Sequence, residues 1–300
     1  MLTRRSFGKL VTPALMASAW MLGRMPAEIV RDSKGTDPQF SVMMWTLNKY
    51  GTFEQNLDRV ATAGYRHVEL VNEFKSWSDE EMSRILTRMQ TLGISVDATA
   101  GMKLGFADPS GGTAFLAELK SLIPVAKRLS CGQIILLSGK HIEGISAKEQ
   151  HSAAIETLKR SAEALSKAGI VGVIEPIDRL ENPSIYLDGV SEAFEIAEAV
   201  GSANIRVLYD IYHEQRGQGN LIEKLEKNIA RVGLIHVADV PGRHEPGTGE
   251  LNYSNIFSKL AQLQYTGVIA MEFYPTKDPV ETLRHAREEA LSSWRVARLK

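Results

Sequence analysis

The feature that most constrains the fold of this chain is an alternation, repeated eight times, of short apolar segments with longer segments of helical periodicity. The short segments are rich in β-branched residues and predict strands over residues 41–47, 67–71, 95–100, 133–137, 171–177, 205–209, 234–240 and 268–273. The longer segments predict helices over residues 52–63, 113–129, 147–168, 190–200, 221–232, 253–263 and 280–297, with one more beginning near Ser78. Eight such units predict a single (β/α)₈ TIM barrel, an α/β fold whose usual length is about 250 residues.

The rival architecture for alternating strands and helices is an open, doubly wound sheet. Such a sheet usually carries a glycine-rich phosphate turn, G-x-G-x-x-G, after an early strand, and the early strands here are not followed by one. The sequence therefore favours one barrel domain over residues 40–300.

The start of the second helix is also predictable. Ser78 places a hydroxyl three residues before Glu81, which predicts a capping box there.

The residues before the first strand have the pattern of a targeting segment. An arginine pair at positions 4 and 5, followed by an aromatic residue and a lysine, is typical of a twin-arginine export signal. The next stretch, residues 10–23, is moderately apolar and contains no acid. An amphipathic first helix that begins with arginines is the alternative. We expect a signal peptide over residues 1–24, a linker over 25–39, and export to the periplasm by the twin-arginine (Tat) machinery.

Composition limits the partners of the chain. Lys+Arg total 35 and Asp+Glu 36, a formal net charge of -1, and removal of residues 1–24 would take away four basic residues and leave -5. This balance disfavours broad neutralisation of phosphates, so we expect no nucleic-acid partner. The one cysteine, Cys131, excludes an internal disulfide and a multi-cysteine zinc site. Since the chain has no apolar run of about 18 residues, we expect no stable membrane association after cleavage.

Four consecutive predicted strands, the fifth to the eighth, end in side chains that can bind a metal ion: Glu175, Asp210, His236 and Glu272. Because functional residues of a barrel gather at the C-terminal ends of its strands, we expect these four to converge. Three carboxylates and one imidazole suit a single divalent ion, with Mn²⁺ or Mg²⁺ favoured and Zn²⁺ or Co²⁺ as alternatives. For each acid alone, a strand-end residue paired with lysine or arginine is the alternative.

Two residues in the loops beside this set are candidates for binding a substrate. His213 lies three residues after Asp210, and Arg243 lies seven residues after His236. An imidazole and a guanidinium beside a metal suit a substrate that carries hydroxyl, carbonyl or carboxylate oxygens. Because both lie in predicted loops, solvent-exposed bystanders are the alternative. Trp45 and Phe273, at strand ends, either line a pocket or pack in the core.

Other polar residues are interpreted as structural. Glu69 lies on the second predicted strand and points, by alternation, into the barrel, where a structural salt bridge or hydrogen bond is its expected role. His141, His151 and His285 fall on loops or helices away from the strand ends, and we assign them no function. Cys131 has no neighbouring histidine motif and is predicted to be a buried thiol.

The segment from His236 to Tyr253, H-V-A-D-V-P-G-R-H-E-P-G-T-G-E-L-N-Y, resembles the seventh strand and following loop of the xylose isomerase-like TIM barrels. The glutamates of I-E-P at 174–176 and M-E-F at 271–273, and D-x-x-H at 210–213, resemble other motifs of that family. The likeness runs from about residue 40 onward and is most specific between residues 170 and 275, closest to the hydroxypyruvate isomerase branch. It implies one divalent ion on Glu175, Asp210, His236 and Glu272, with Glu175 and Glu272 as acid and base.

The activity that this resemblance implies is isomerisation of a small hydroxy-carbonyl compound by proton transfer through an enediolate. The chain departs from the hydroxypyruvate isomerase branch at His236, where that branch carries glutamine. Histidine there resembles the ketose 3-epimerases, which lack the long R-H-E-P-G-T-G-E loop. A 3-epimerase, a sugar dehydratase or lyase, and an exported sugar-binding barrel without catalysis therefore stay open as alternatives.

The apurinic endonuclease branch of the same superfamily is a further alternative. The resemblance implies that such an enzyme would need extra histidines at the ends of the third and fourth strands. These ends read Thr99-Ala100-Gly101 and Leu137-Ser138-Gly139, without histidine. The sequence therefore disfavours a multi-zinc phosphodiesterase.

Overall fold

Eight parallel strands form a closed barrel in chain order in the computed structural model, which describes residues 37–299. The strands are β1 (Gln39–Met43), β2 (His67–Leu70), β3 (Ser95–Thr99), β4 (Gln133–Leu137), β5 (Val171–Glu175), β6 (Ile205–Asp210), β7 (Val232–Val237) and β8 (Val268–Met271). The prediction of a single (β/α)₈ barrel is confirmed. The predicted signal peptide, residues 1–24, and the predicted linker up to residue 36 lie outside the described residues.

The helices surround the barrel and follow the strands along the chain. They are α1 (Phe53–Thr62), α2 (Asp79–Leu92), α3 (Gly112–Arg128), α4 (Ala147–Ala168), α5 (Val190–Val200), α6 (Ile211–Gly217), α7 (Leu221–Asn228), α8 (Tyr253–Gln262) and α9 (Pro279–Arg298). Short 3₁₀ helices cover Met44–Tyr50, Glu73–Ser76 and Ile229–Arg231. Within residues 37–299, no helix is long and apolar enough to cross a membrane.

The predicted capping box fixes the start of α2. The Ser78 side chain accepts a hydrogen bond of 3.1 Å from the backbone N–H of Glu81, and the Glu81 carboxylate accepts one of 2.8 Å from the backbone N–H of Ser78. Two of the N–H groups that a helix start leaves without a partner are thereby satisfied. The helix ends at Gly93, whose φ of 66° lies in the left-handed region that glycine adopts without strain.

Apolar side chains fill the interior of the barrel. They come from all the strands except β2 and are Met43, Ala98, Ile135, Val173, Leu208, Leu234, Val268 and Ala270. The opposite faces of the strands pack against the helices in a second, larger core. Because both faces of each strand are covered, polar side chains have room only near the ends of the barrel or where they find partners inside it.

The chain after β6 differs from the prediction, which placed one helix over residues 221–232. The structure has α6 directly after the strand, then α7 and a 3₁₀ turn. The carboxylate of Asp210 causes the early start, since its Oδ1 accepts hydrogen bonds from the backbone N–H groups of Tyr212 (2.7 Å) and His213 (3.1 Å). His213 therefore lies on a helix and not in a loop.

A β-bulge distorts the pairing of β2 with β3. Val68 pairs with Val96, but Glu69 pairs with Ala98, which leaves Asp97 as an extra residue. Such a bulge changes the direction in which neighbouring side chains point. It brings the Asp97 carboxyl group to the hydroxyl of Ser41 on β1, which donates a hydrogen bond of 2.5 Å to Asp97 Oδ1.

Candidate metal centre

The four predicted metal ligands converge at the C-terminal ends of β5 to β8. Glu175 and Asp210 are the last residues of their strands, His236 precedes the last residue of β7, and Glu272 follows β8. One possible ligand atom from each of the four lies within 4.8 Å of the others, and all four residues are buried. The strand register explains this, because Asp210 pairs with His236 and Glu272 donates its backbone N–H to the carbonyl of Val237 at 3.1 Å.

His236 lies in the middle of the three carboxylates. Its Nδ1 is 2.8 Å from Glu272 Oε2 and 3.9 Å from both Glu175 Oε1 and Asp210 Oδ2. Asp210 Oδ2 is buried and has no hydrogen-bond partner within the part of the chain that the structure describes. A buried carboxylate oxygen without a partner is costly, and a cation among these oxygens would remove that cost. The donor set of three carboxylates and one imidazole therefore fits a divalent ion.

The two glutamates of the centre differ in their electrostatic surroundings. Burial raises the pKa of Glu175 to about 7; His236 opposes this rise, while the charges of Glu272 and Asp210 add to it. Burial also acts to raise the pKa of Glu272, but Arg243 and His236 outweigh it and lower that pKa below its usual range. Two carboxyl groups whose pKa values are pushed apart are typical of an acid and base pair.

Arg243 reaches the centre from the loop after β7. Its Nη2 lies 2.9 Å from Glu272 Oε2 and 3.9 Å from Asp210 Oδ2. The guanidinium stacks between the rings of Trp45 and Tyr212, at 5.4 and 5.0 Å from their centroids. Its Nε is buried and has no hydrogen-bond partner among residues 37–299.

Asp239 organises the loop that carries Arg243, and the sequence analysis did not single it out. Its Oδ1 accepts hydrogen bonds from two backbone N–H groups, and its Oδ2 accepts two more; the donors are Val240, Leu251, Gly247 and Gly249. Arg243 has a φ of 57°, which is unfavourable for a residue with a side chain and persists here because the loop fixes it. An aspartate followed by closely spaced glycines was the signal that could have revealed this role.

His213, the other predicted substrate-binding residue, forms a buried wall of the centre. Its Nδ1 is 2.7 Å from Asp178 Oδ2, and its Nε2 is 3.6 Å from Asp210 Oδ2. Burial acts to lower the pKa of His213, but Asp210 and Asp178 outweigh it, and the pKa is raised. The imidazole is therefore positioned by Asp178, a residue that the sequence analysis did not identify, and it is not a solvent-exposed bystander.

Glu69 makes a hydrogen-bonded pair inside the barrel, as predicted, but its partner belongs to the centre. Glu69 Oε2 lies 2.9 Å from Nε2 of His236.

Trp45 packs edge-on against Tyr274 with ring centroids 5.3 Å apart, beside Arg243, whereas Phe273 is buried in the outer core. Of these two strand-end aromatic residues, Phe273 therefore packs in the core, whereas Trp45 lies beside the centre.

The remaining residues that were interpreted as structural lie outside the four-ligand cluster. His151 Nδ1 contacts Glu192 Oε1 at 3.0 Å, an interaction between α4 and α5. Cys131 is a buried thiol, and burial raises its pKa well above the usual range. Neither contributes to the centre.

A family model described as xylose isomerase-like TIM barrel matches residues 57–293. The hydroxypyruvate isomerase of Escherichia coli is 30% identical over 229 residues, which cover 74% of this chain and 88% of that protein. The 2-oxo-tetronate isomerase of Cupriavidus necator is 28% identical over 242 residues, covering 79% and 93%. A crystal structure described as an AP endonuclease of family 2 from Brucella melitensis superposes with a TM-score of 0.75 at 25% identity, covering 82% of this chain and 97% of that one.

Proposed function

This chain belongs to the xylose isomerase-like TIM barrel family and is an isomerase, and we propose that it acts on a small hydroxy-carbonyl acid with one divalent metal ion. The observation that carries the proposal is the convergence of Glu175, Asp210, His236 and Glu272, with a buried Asp210 oxygen that has no partner in residues 37–299. The names of the relatives indicate the substrate class, since hydroxypyruvate and 2-oxo-tetronates each combine a carbonyl, a hydroxyl and a carboxylate.

Glu175, Asp210, His236 and Glu272 would hold the ion, with Mn²⁺ or Mg²⁺ favoured over Zn²⁺ or Co²⁺. When bound, a divalent ion supplies Lewis acidity that polarises a carbonyl oxygen and acidifies the adjacent C–H. Asp210 is placed to complete the ligand set without taking part in proton transfer, because its other oxygen accepts two backbone hydrogen bonds at the start of α6.

The two glutamates are proposed to move the proton. One carboxylate removes the proton from the carbon that bears the hydroxyl, which leaves an enediolate, and the other carboxyl group returns a proton to the neighbouring carbon. The hydroxyl proton moves to the former carbonyl oxygen, so the hydroxyl and carbonyl groups exchange places, and the two carboxyl groups regain their starting protonation by exchange with solvent. In the metal-free protein burial raises the pKa of Glu175, which favours this residue as the carboxyl group that carries a proton. Glu272 Oε2 lies 2.9 Å from Nη2 of Arg243, which favours the ionised form of this carboxyl group and leaves it available as a proton acceptor.

Arg243 and His213 are proposed to orient the substrate. The guanidinium of Arg243 reaches the centre through Nη2, 2.9 Å from Glu272 Oε2, and a guanidinium binds a carboxylate with charge-assisted hydrogen bonds. His213 Nε2 faces the centre at 3.6 Å from Asp210 Oδ2, where it can contact a hydroxyl or carbonyl oxygen. Asp178 supports this role by holding the other ring nitrogen.

An endonuclease function, which the description of the Brucella melitensis structure raises, has less support. The ends of β3 and β4 carry Ala100 and Leu137, both packed on the apolar interior of the barrel. Additional metal ions would need ligands there. The neutral to mildly acidic charge of the chain also disfavours DNA.

We also propose that residues 1–24 direct twin-arginine export and that the enzyme acts in the periplasm. Expression of the full chain, followed by cell fractionation and N-terminal sequencing of the product, tests this. Recovery in the periplasm that is lost when Arg4 and Arg5 are both replaced by lysine is the expected result.

Elemental analysis of the purified protein, combined with solvent-deuterium exchange followed by NMR, tests the function. We expect about one divalent ion per chain, and metal-dependent uptake of deuterium at carbon in hydroxypyruvate or another compound of a panel of hydroxy-carbonyl acids and ketoses. Exchange in neutral ketoses alone would redirect the assignment to a 3-epimerase. Metal without exchange in any compound would contradict catalysis, and failure to bind Mn²⁺, Mg²⁺, Co²⁺ or Zn²⁺ would overturn the metal site.

A further inference from the structure

The side of His236 that faces away from the centre contacts a fourth acid. Its Nε2 lies 2.9 Å from Oε2 of Glu69, and both side chains are almost completely buried, at 1% and 0% exposure. Glu69 belongs to β2, which is separated from β7 by β1 and β8 around the barrel. The contact therefore crosses the interior of the barrel, where all other strands contribute apolar side chains.

A buried carboxylate in this position is expensive unless it has a specific partner. An imidazole that binds a cation through one nitrogen carries its proton on the other, and a carboxylate that accepts that proton fixes the tautomer and the ring orientation. In this chain Nδ1 is the nitrogen that faces the three carboxylates, so with a cation bound among them Nε2 would carry the proton.

We propose that Glu69 is a positioning residue that accepts the Nε2–H hydrogen bond of His236 and thereby keeps the Nδ1 lone pair directed at the metal centre. This inference rests on the proposed metal site, but it concerns a residue that contacts neither the ion nor the substrate. Glu69 thus connects β2 to β7 across the interior of the barrel through a single hydrogen bond.

Glu69 is itself held by Asp97 of the neighbouring strand, and Asp97 is held in turn by Ser41. The Asp97 carboxyl group, in the bulge of β3, interacts with Glu69, and burial together with the Glu69 charge raises the pKa of Asp97. Among the described residues, Glu69 Oε1 and Asp97 Oδ2 otherwise have no hydrogen-bond partner, so a proton on Asp97 would satisfy both oxygens. Ser41 donates to the other oxygen of Asp97 and fixes its orientation.

The competing explanation is that the pair of Glu69 with His236 only stabilises the fold. The two explanations differ in what a substitution changes. Loss of a structural pair lowers the stability of the metal-free protein but leaves the metal affinity of the folded protein unaltered. Loss of a positioning residue lowers that affinity and also allows His236 to adopt the other tautomer, with its proton on Nδ1.

The test compares Glu69→Ala and Glu69→Gln with the wild type, using Zn²⁺ and Mn²⁺ titrations of the folded protein against a competing chelator. We expect Glu69→Ala to weaken binding by about 10 to 100-fold. Glu69→Gln keeps an acceptor oxygen and should lose less, so the order of affinity is wild type, then Gln, then Ala. Glu214→Gln is the matched control, because Glu214 is another buried glutamate, paired with Lys224 outside the cluster, and it should keep wild-type affinity.

A second measurement follows the side-chain nitrogens of ¹⁵N-histidine-labelled protein loaded with Zn²⁺. In the wild type and in Glu69→Gln, His236 should be protonated at Nε2 and metal-bound at Nδ1, which also keeps the inference testable if the alanine variant does not fold. Wild-type Zn²⁺ affinity in Glu69→Ala, or an Nε2 without a proton in the wild type, would overturn the inference and leave the metal site standing. A wild-type protein that binds no metal would instead overturn the proposed function.

Discussion

The two halves of the barrel differ sharply at their C-terminal ends. Strands β5 to β8 end in the buried charges Glu175, Asp210, His236 and Glu272. Strands β1 to β4 lead into Trp45, Val71, Ala100 and Leu137, which are partly buried and pack on the apolar interior. The strand ends of the two halves lie at the same height along the barrel axis, since Leu137 pairs with Glu175 across the junction of β4 and β5.

This difference indicates that the two halves have different roles in binding. The charged half can bind an ion and the oxygens of a substrate, while the apolar half can contact only its carbon skeleton and exclude water. Arg243 and Glu69 are the exceptions that join them, the first by stacking on Trp45 and the second by its bond to His236. If the halves are separated in this way, substitutions in the charged half should change catalysis and metal binding, and substitutions in the apolar half should change substrate binding alone.

The largest expected effect comes from the charged half. Replacing Glu175 or Glu272 by glutamine removes one proton-transfer group while keeping its size, and should lower kcat/KM by about 10²- to 10⁴-fold. Solvent-deuterium exchange should fall in parallel, with an unchanged far-UV circular dichroism spectrum as evidence of folding. Near-wild-type turnover in either variant would contradict the proposed proton transfer.

Metal binding should stabilise the wild type strongly and an Asp210→Asn variant weakly. A ligand at about 1,000 times its Kd adds roughly 4 kcal/mol to the free energy of unfolding. Asparagine keeps the cap of α6 but removes the carboxylate, so the metal-free variant should be at least as stable as the metal-free wild type. Urea unfolding with Mn²⁺ and with chelator measures both differences, and equal gains in the two proteins would exclude Asp210 as a ligand.

Arg243→Lys tests the residue that joins the two halves. Lysine keeps the charge but cannot reproduce the stacked, planar donor group. A hydrogen bond to a charged group contributes about 1.5 to 3 kcal/mol, so KM for a hydroxy-carbonyl acid should rise about 10- to 100-fold. Steady-state kinetics should show a much smaller change for a neutral ketose, and an equal rise for both would mean that Arg243 does not recognise a carboxylate.

Substitution in the apolar half should change substrate binding slightly and metal binding not at all. Leu137→Val removes one methylene, worth about 0.8 kcal/mol of buried surface, so KM should rise by no more than about fourfold. Zn²⁺ titration should return the wild-type affinity. A loss of metal affinity in this variant would show that the halves are not independent.

The smallest effect is a pH dependence of the stability of the metal-free protein. Because the pKa of His213 is raised in the folded state, its charged form stabilises the fold. That contribution is fully present below the unfolded pKa of about 6.5 and is lost as the pH rises through the higher folded value. The difference in unfolding free energy between wild type and His213→Gln should therefore shrink above about pH 6.5, as measured by urea unfolding across a pH series.

Much of the fold could be predicted because local pattern determines it. The bounds of β4, α4 and α5 agree with the prediction residue for residue, since each is limited by apolar periodicity and by turn residues. Strand ends were less predictable, and β1 gives way to a 3₁₀ helix at Met44 although its apolar pattern continues. The short helix α6 was missed because a side chain at the strand end, Asp210, starts it.

The site was predictable as far as strand order alone determines it. The ends of parallel neighbouring strands meet, so four ligands on four consecutive strands had to converge. The contact of Glu69 with His236 could not be predicted, since it depends on side-chain length across the barrel and on the bulge at Asp97. The stacking of Arg243 depends on the conformation of a loop, which has no sequence periodicity.

The four hydrogen bonds that Asp239 accepts have a thermodynamic consequence for binding. They order the loop when the chain folds, so its conformational entropy is lost at that stage and not when a substrate arrives. Immobilising a flexible side chain on binding costs about 0.5 to 1.5 kcal/mol, and Arg243 is already held between two rings. A substrate that reaches the barrel mouth thus contacts a loop that is already ordered, and ordering that loop does not reduce the free energy of binding.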